Sequence, residues 1–498
     1  MGWKAKFSAI SLPTDFGDFP SLKLQNSIPA NPSFLGKNHF HFLNIKHDFS
    51  TEIDWNFAKY GKLWTYNLNY FEFLSQANLD KETGLSLIKK YIAAGETLQD
   101  GLEPFPISLR MIFWIRFLVK HQIQDAQIDA FLFRQNKLLE QQLEYHLLGN
   151  HLLENGFALL HSAYYFSDNQ LFSKAKQILS EQLEEQILAS GAHFELAPMY
   201  HQLMLYRLLD CINLIQNNRK IFPTDWLNFL IEKAGEMLAW LDYMSFSDGS
   251  IPHFNDSTDG IAPTTKELKE YAKTLEITPK QTTSKICSQN YRKYKSSQYE
   301  IFVDTGEIGA AYIPGHAHSD NLHFVLNSQG KSLLVDTGIS TYEKDQKRHF
   351  ERSTAAHNTV QIKNEEQSDV WGGFRVGRRA ESTLNMAKSN KIQATHNGYS
   401  FMDVYHERTF QLQEKVVEII DKLSTITKAK ARFHFHPDVK VSKDKNTVSG
   451  DFGSLAFEGM TAIALEEYQF AQGYNQTQTA TVIVVHFSQH LHTTIELK

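Results

Sequence analysis

The apolar residues of this chain change their spacing once, and that change limits the possible folds. Between about residues 80 and 245, apolar side chains recur every three to four positions, as they do on one face of a helix. From Tyr299 onward, short segments alternate between apolar and polar residues, which is the pattern of strands. The sequence therefore predicts a helical domain followed by an antiparallel β-domain.

Successive helices joined by short turns form either a solenoid or a closed toroid of helical hairpins. No fixed-period repeat favours the solenoid. Short strands separated by Gly, Asn-Gly and Asp-Lys turns indicate a β-sandwich or super-sandwich. We predict an irregular N-terminal arm over 1–50, where four prolines interrupt any long helix, a helical domain over 51–285 and a β-domain over 286–498.

The helical pattern predicts individual helices over 85–94, from Pro106, and over 126–145, 152–166, 168–189, 200–216, 226–244 and 264–275, and a helix is also compatible with 63–71. The alternating pattern predicts strands over 299–303, 322–327, 332–336, 359–362, 391–395, 409–412, 415–423 and 479–487.

Composition excludes several classes of protein. A net charge of -6 and a pI near 6.4 give no reason to expect nucleic-acid binding. Cys211 and Cys287 belong to no CxxC motif, so neither a thiolate metal site nor a disulfide framework is predicted. Residues 1–10 lack the apolar run of a signal peptide, and no membrane segment is expected. The chain as written is predicted to be cytoplasmic, or periplasmic if it derives from a trimmed precursor, and its oligomeric state is left open.

Three histidines and an aspartate in the β-domain form a candidate metal site. His316 and His318 belong to a His-x-His motif, Asp336 follows eighteen residues after His318, and His357 comes later. Imidazole and carboxylate ligands suit zinc or a similar divalent ion. We predict that the two histidines of the motif have different tasks, with one binding a metal while the other faces a cleft. With 22 histidines in the chain, a chance motif is the alternative.

Two motifs lie at predicted helix starts. His151 and Glu154 are three residues apart and share a helix face, while Asn150 could simply be an N-cap. Tyr200 and His201 follow Pro198, so both lie at the mouth of a helix, although a packed tyrosine and a solvated histidine would give the same pattern.

Together, these motifs resemble those of the heparinase II/III-like polysaccharide lyase superfamily, which includes heparan-sulfate lyases and related alginate lyases. The resemblance covers most of the chain and is carried by residues 63–71, 106–110, 150–155, 195–201, 315–320, 355–359 and 369–374. It implies an α+β multidomain fold with an N-terminal incomplete (α/α) toroid followed by a C-terminal antiparallel β-sandwich.

The resemblance implies β-elimination at a uronate. That reaction requires neutralisation of the carboxylate, a base near the C5 proton and an acid at the departing O4. The matching positions assign neutralisation to Asn150 and His151. They assign donation to the leaving oxygen, and potentially proton abstraction, to Tyr200, and the base for one C5 epimer to His316. The choice of base depends on whether the sugar is glucuronate-like or iduronate-like, which the sequence leaves open.

The same match implies further residue roles. His318, Asp336 and His357 would hold a structural divalent metal, zinc by its ligand types, while Glu154 and His201 would support the site. The residues expected to line the substrate site are Asn67, Arg110, Arg352 and Trp371. Additional basic residues that could meet a polyanion are Lys347, Arg348, Arg375, Arg378 and Arg379.

The expected partner is an acidic polysaccharide, either a heparan-sulfate-like glycosaminoglycan or a bacterial uronate polymer. Two other functions remain open. A non-catalytic or biosynthesis-associated polysaccharide-binding protein would need no acid–base set. A glycoside hydrolase would need two carboxyl groups flanking the scissile bond, for which Glu154, Glu195 and Asp256 are candidates that the sequence does not pair.

Overall fold

The computed structural model describes residues 7, 10–13, 19–280 and 290–498. Cys287 and most of the first eighteen residues, on which the signal-peptide prediction rests, lie outside this described part; Cys211 is buried as a free thiol. The chain divides into two compact units. The first contains residues up to Leu188 together with Leu203–Gly235 and Glu267–Lys280, and the second contains Ala189–Gln202, Glu236–Lys266 and the chain from there to Lys498, apart from Glu267–Lys280.

Ten α-helices occur in the described residues. In chain order they are α1 Lys62–Tyr70, α2 Lys81–Ala94, α3 Pro104–His121, α4 Ala126–Glu140, α5 Gly149–Phe166, α6 Asn169–Gln186, α7 Pro198–Asn217, α8 Trp226–Met244, α9 Thr265–Thr274 and α10 Gln346–Glu351. Their starts follow from local chemistry. Asp80, Asp125 and Asp168 cap α2, α4 and α6 by accepting hydrogen bonds from first-turn N–H groups. Pro104 opens α3, where its missing N–H costs nothing. No helix in the described part of the chain has the length and apolar character needed to cross a membrane.

Helix α4 ends at Glu140, five residues earlier than predicted. The Gln142 N–H turns back to the Leu139 carbonyl at 2.9 Å, and the Glu144 N–H donates to the Asn155 side chain instead of continuing the helical ladder. The apolar spacing could not reveal this competing acceptor, because it lies on the next helix.

The predicted irregular arm is wrong over residues 34–48, where three short strands form an antiparallel sheet: β1 Phe34–Gly36, β2 His39–Phe42 and β3 Ile45–Asp48. Two tight turns connect the strands, and Asn38 and Asn44 adopt positive φ in them. Asparagine tolerates this left-handed conformation better than most residues.

The second unit contains the remaining strands. They are β4 Tyr291–Lys295, β5 Tyr299–Asp304, β6 Phe324–Ser328, β7 Lys331–Leu334, β8 Val360–Ile362, β9 Val370–Trp371, β10 Arg375–Val376, β11 Ser382–Lys388, β12 Lys391–His396, β13 His406–Leu412, β14 Val416–Leu423, β15 Ala429–His434, β16 Ser442–Asp444, β17 Thr447–Gly450, β18 Gly453–Gly473 and β19 Gln476–Leu497.

Antiparallel pairing organises these strands into a four-stranded sheet, β4-β5-β6-β7, a two-stranded sheet, β9-β10, and a ten-stranded sheet around β19. Strand β19 pairs with β18 along its length, with β15 through its first half and with β14 through its second. Apolar residues of both sheets, including Ile301, Phe324, Phe433 and Ile483, share one buried core, which is the arrangement of a β-sandwich.

The His-x-His motif does not lie on a strand. Residues 315–321 form an irregular loop between β5 and β6. On a strand, residues two apart would share a face, so the different directions of the His316 and His318 side chains come from the loop conformation. The predicted difference in their surroundings is observed: the His316 side chain is partly exposed, and that of His318 is fully buried.

Candidate functional site

A short loop in the second unit holds two other segments in place. The Asp256 N–H donates to the His316 carbonyl at 3.1 Å, and the Asn255 side chain accepts the His318 N–H at 3.0 Å. The neighbouring Ser257 hydroxyl oxygen accepts the Met199 N–H at 3.2 Å. Loop 255–257 thus fixes the His-x-His loop and the first turn of α7, which carries Tyr200.

Tyr200 and His316 lie against each other, with ring centroids 4.0 Å apart and planes inclined by 33°. The Tyr200 hydroxyl is 3.0 Å from the hydroxyl of Tyr342. Burial and the negative charge of Asp256 raise the pKa of Tyr200, so the phenol keeps its proton at neutral pH. The pair therefore offers a protonated phenol beside an imidazole.

Asp256 accepts four hydrogen bonds. Its Oδ1 receives His318 Nε2 at 2.9 Å and Arg348 Nη1 at 2.5 Å, while its Oδ2 receives His316 Nδ1 at 2.8 Å and Arg348 Nη2 at 2.6 Å. Burial opposes its ionisation, but Arg348 and the two histidines hold the pKa of Asp256 well below its usual range. The forked contact with Arg348 is the strong bidentate form. Arg348 is consequently not a free cation for a polyanion.

The three predicted metal ligands come together on fully buried side chains. His318 Nδ1 is 3.2 Å from His357 Nε2, which is 3.4 Å from Asp336 Oδ2. Burial opposes ionisation of Asp336, but His357 and His323 keep its pKa below the ordinary value, and burial lowers the pKa of His357 to about 3. As they stand, no three His, Cys, Asp or Glu side chains among the described residues are arranged to hold a metal ion.

The hydrogen bonds fix which nitrogen of each imidazole carries a proton. His357 Nδ1 lies 2.7 Å from the Ser353 carbonyl and must donate to it, and His318 Nε2 must donate to the Asp256 carboxylate. The remaining nitrogens, His318 Nδ1 and His357 Nε2, therefore face each other with lone pairs. Two acceptors at 3.2 Å require a cation or a proton between them.

His323 is a fourth buried group at this cluster, but it has the opposite tautomer. Its Nδ1 accepts the Asn358 N–H at 2.8 Å, so the neutral ring carries its proton on Nε2, 3.1 Å from Asp336 Oδ2. His323 thus supports the Asp336 carboxylate and keeps no lone pair for a metal.

His201 is buried between backbone groups. It accepts the His193 N–H at 3.2 Å and donates to the Met237 carbonyl at 3.0 Å, which ties the start of α7 to α8. Burial lowers its pKa to about 3. The side chain is enclosed and neutral, and it maintains the backbone on which Tyr200 is mounted.

In the first unit, Asn150 and His151 lie in the first turn of α5. Leu148 occupies the N-cap position and Asn150 makes no capping bond. His151 is 41 % exposed at its side chain, and its Nδ1 lies 3.0 Å from the Glu144 carboxylate. Glu144 is itself held by Asn155, whose amide donates to it at 3.0 Å. The carboxylate orients His151 with Nε2 available to a ligand.

Glu154 is buried on the same helix and accepts a hydrogen bond from Arg207 Nε at 3.1 Å. Burial raises its pKa, although Arg207 opposes the shift. Within its own unit, this carboxyl group links α5, about one turn after His151, to Arg207 of α7.

Arg110 requires a correction. Its side chain is fully buried, donates to Gln135 and to the Asn69 carbonyl, and lies over the Tyr91 ring. These contacts are all within the first unit, so we assign Arg110 to its packing and not to the substrate site. Asn67, by contrast, is partly exposed and donates to the Leu63 carbonyl on its own helix.

Arg352 and Trp371 line one cavity of about 200 Å³ in the second unit. Lys344 and His349 also line it, and the Trp371 side chain is 48 % exposed. Arg352 is only 1 % exposed although it borders this cavity; it donates to the Ala317 carbonyl at 2.9 Å, and burial lowers its pKa to about 10. The cavity combines the cations Lys344 and Arg352 and one carboxylate, Asp345, with an aromatic face.

The sequence did not reveal several residues that hold the site. Glu144 and His323 have no motif of their own, and Tyr342 lies 142 positions from its hydrogen-bond partner Tyr200. Asp256 was predicted only as a carboxyl group for a hydrolase, yet its four hydrogen bonds leave neither oxygen free for that role. Its signal in the sequence, an Asn-Asp-Ser loop, is too common to identify.

Comparison with known proteins shows which family the chain belongs to. Residues 104–285 match the heparinase II/III N-terminus, and residues 283–498 match the heparinase II/III-like C-terminal domain. A heparin-sulfate lyase of Bacteroides stercoris is 22 % identical over 424 residues, which are 76 % of this chain and 60 % of the relative. One of Pedobacter heparinus is 23 % identical over 296 residues, which are 54 % of this chain and 42 % of the relative. The alignments thus cover at most three fifths of these relatives' length.

Solved structures show the same fold. A crystal structure of heparinase III aligns with 99 % of this chain and 88 % of its own, with a TM-score of 0.69 and 14 % identity. Heparan sulfate lyase HepC from Pedobacter heparinus aligns with 100 % of this chain and 87 % of its own, with a TM-score of 0.60 and 17 % identity. These likenesses confirm the predicted fold class, an incomplete (α/α) toroid followed by an antiparallel β-sandwich. With both family domains matched in order, the chain belongs to the heparinase II/III-like family.

Proposed function

We propose that the protein is a polysaccharide lyase that cleaves a uronate-containing acidic polysaccharide by β-elimination, leaving 4,5-unsaturated uronyl ends. The observation that carries the proposal is the protonated Tyr200 phenol packed against an imidazole whose Nδ1 is held by Asp256. The heparin-sulfate lyases among its relatives make a heparan-sulfate-like glycosaminoglycan the first substrate to test, and a bacterial uronate polymer the second.

The proposed reaction removes a proton and a leaving group from neighbouring carbons. A base takes the C5 proton, the C–H electron pair becomes the C4–C5 double bond, and the C4–O4 bond breaks with a proton delivered to O4. His316 Nε2, the ring nitrogen that does not face Asp256, acts as the base, and the Glu195 carboxylate lies 3.9 Å from it. Burial and Asp256 raise the pKa of Tyr200, so the phenol is protonated at neutral pH: it has a proton to deliver to O4 and is not available as the base in that state.

The C5 proton becomes acidic enough only when the adjacent carboxylate is neutralised. Asn150 and His151 supply an amide and an imidazole for this purpose. Their assignment rests on the family resemblance and on their chemistry: both lie at the start of α5, where N–H groups favour an anion, and Glu144 orients the imidazole. Glu154 and His201 have supporting roles, each within its own unit.

A structural zinc ion is part of the proposal, with His318 Nδ1, His357 Nε2 and Asp336 Oδ2 as its ligands. Ligand atoms 2.0–2.1 Å from a tetrahedral zinc stand about 3.3 Å apart, close to the separations of 3.2 and 3.4 Å between these atoms. The facing lone pairs supply the chemical reason for a cation. When bound, the ion would link the loops that carry these three residues.

Substrate contacts are assigned to Asn67, Arg352 and Trp371. The cavity lined by Arg352 and Trp371 offers a positive edge for carboxylate or sulfate groups and an indole face for a sugar ring. A local basic surface is needed because the chain as a whole has a net charge of -6 and would repel a polyanion.

The test follows ultraviolet absorbance of the new double bond while the protein is mixed with heparan sulfate, heparin, hyaluronan, chondroitin sulfate, alginate and a bacterial uronate capsule. We expect absorbance to rise with one class of polymer, and Tyr200→Phe to lower kcat by about 10²–10⁴-fold because the proton donor is lost. Tyr399→Phe is the control, since Tyr399 is also buried and donates its hydroxyl proton to a backbone carbonyl, that of Val360.

Other outcomes would identify a different function. Binding without cleavage on every polymer would indicate the non-catalytic or biosynthetic role. Cleavage that produces saturated ends without absorbance would contradict elimination and favour a hydrolase.

A further inference from the structure

The Asp256 carboxylate is the point where the proposed base and the proposed metal site meet. It contacts His316 through one oxygen and His318 through the other, at 2.8 and 2.9 Å. Both histidines come from one loop, and they contact opposite edges of one fully buried carboxylate. A single side chain therefore has the geometry to control two imidazoles with different tasks.

Arg348 ensures that this carboxylate remains an acceptor. Its two terminal nitrogens lie 2.5 and 2.6 Å from the two Asp256 oxygens, and its Nε donates to the Gly373 carbonyl at 3.1 Å. An ionised carboxylate has no proton to donate, so each histidine must place its own proton on the nitrogen that faces Asp256.

The consequence differs for the two rings. A proton on His316 Nδ1 leaves Nε2 as the lone-pair nitrogen on a ring that packs against Tyr200. A proton on His318 Nε2 leaves Nδ1 as the lone-pair nitrogen, 3.2 Å from His357 Nε2. The same carboxylate thus exposes opposite nitrogens of the two imidazoles, Nε2 on one and Nδ1 on the other.

We propose that Asp256 is a positioning residue that sets the tautomers of both His316 and His318, so that one acts as base and the other as metal ligand. This inference deepens the proposed function and rests on it for the roles of the two histidines. The tautomers and the affinity for zinc can be measured whether or not any polymer is cleaved.

The first measurement uses the unaltered protein. Nitrogen NMR of the full chain labelled at histidine distinguishes protonated from unprotonated ring nitrogens, and His316→Gln and His318→Gln identify the two sets of signals. We expect His316 to carry its proton on Nδ1 and His318 on Nε2, with or without zinc. A proton on His316 Nε2 at neutral pH would overturn the proposal without any need for an Asp256 variant.

The second measurement uses Asp256→Asn. An amide has one acceptor oxygen and one donor nitrogen, so it can satisfy only one imidazole in its original tautomer. We expect at least one of the two rings to change tautomer, zinc affinity to fall by about 10–100-fold, and kcat to fall with little change in KM. Unchanged tautomers and unchanged zinc affinity in a folded variant would refute the assignment.

Asp421→Asn is a matched control. Asp421 is equally buried and accepts hydrogen bonds from Arg408 Nε at 2.7 Å and from His406 Nε2 at 2.7 Å, but it contacts neither His316 nor His318. Asp421→Asn should lower the free energy of unfolding about as much as Asp256→Asn does, because each variant leaves a buried guanidinium without its carboxylate. Zinc affinity and the His316 signal should not change. Similar losses in both variants would mean that Asp256 acts through general stability only.

Discussion

Glu351, at the end of α10, is only 3 % exposed, and its carboxylate accepts the N–H and the hydroxyl of Ser340. Burial raises its pKa to about 7 from an ordinary 4.5, despite these two donors. Between these two values the folded chain holds a proton that the unfolded chain has lost. The contribution of Glu351 to the free energy of unfolding is therefore fully present below pH 4.5. It is lost as the pH rises through about 7, by about 3 kcal/mol in total.

Glu351→Gln should remove this decline, because an amide cannot ionise. We expect the variant to match the parent near pH 5 and to exceed it near pH 8, by up to about 3 kcal/mol in urea denaturation. Glu365→Gln, at an exposed position, should retain the parent's pH dependence. Parallel stability curves for the parent and Glu351→Gln would show that Glu351 does not hold the proton.

Single residues also show how far the sequence could lead. The ligand types and order of His318, Asp336 and His357 predicted that they would meet, and the structure brings them together. The tautomer of His323 depends on the Asn358 N–H. The ionisation of the Asp256 carboxyl group depends on Arg348, 92 positions away. Such partners are set by the fold, so no local pattern could indicate them.

Among the elements, the segment 189–202 depends on a glycine. Gly191 has φ +86°, and a Cβ there would lie 2.2 Å from the Glu236 carbonyl oxygen of α8. Only glycine permits the segment that carries Tyr200 to approach this helix so closely.

Gly191→Ala should therefore destabilise the chain through both backbone strain and a clash with backbone. Gly249 separates these effects, because it has φ +87° but open space around its Cβ position. We expect Gly249→Ala to cost about 1–2 kcal/mol and Gly191→Ala about 1–3 kcal/mol more, by urea denaturation. Equal costs would mean that the close approach at Gly191 relaxes freely.

Whether a helix or strand was predicted correctly depended on how clearly its apolar residues are spaced in the sequence. Helix α8 was predicted with its observed limits, Trp226–Met244, because its apolar face is continuous. Strand β18 was missed, since the middle of it is largely exposed and lacks alternating apolar residues. Strand β13 was predicted too short because its first residues include His406 and Arg408, buried polar groups that pair with Asp421.

For the whole molecule, zinc should act as a stabilising ligand. The proposed ligands come from three separate loops of the second unit, and the unfolded chain does not hold them together. At a free zinc concentration 100 times its Kd, the gain is about 2.7 kcal/mol, so a chelator should lower Tm. Calorimetry of the full chain with and without zinc measures this directly.

Two comparisons make the calorimetric result specific. Asp336→Asn should abolish most of the zinc-dependent rise in Tm, because it removes the only carboxylate in the proposed ligand set. Magnesium at the same concentration should have little effect, since it prefers oxygen ligands. A rise in Tm that persists in Asp336→Asn would place the zinc elsewhere.

The long hairpin of β18 and β19 also bears on how the chain folds during synthesis. Val416 pairs with Glu496, and Ala429 pairs with Phe487. Both β14 and β15 therefore pair with a strand that is synthesised much later. Until β19 leaves the ribosome, these strands present open edges that can pair with other chains. Helices such as α5 and α6 are adjacent in sequence, so they can pack together as soon as both have been synthesised. We therefore expect nascent chains that stop before β19 to depend on chaperones far more than those that contain it.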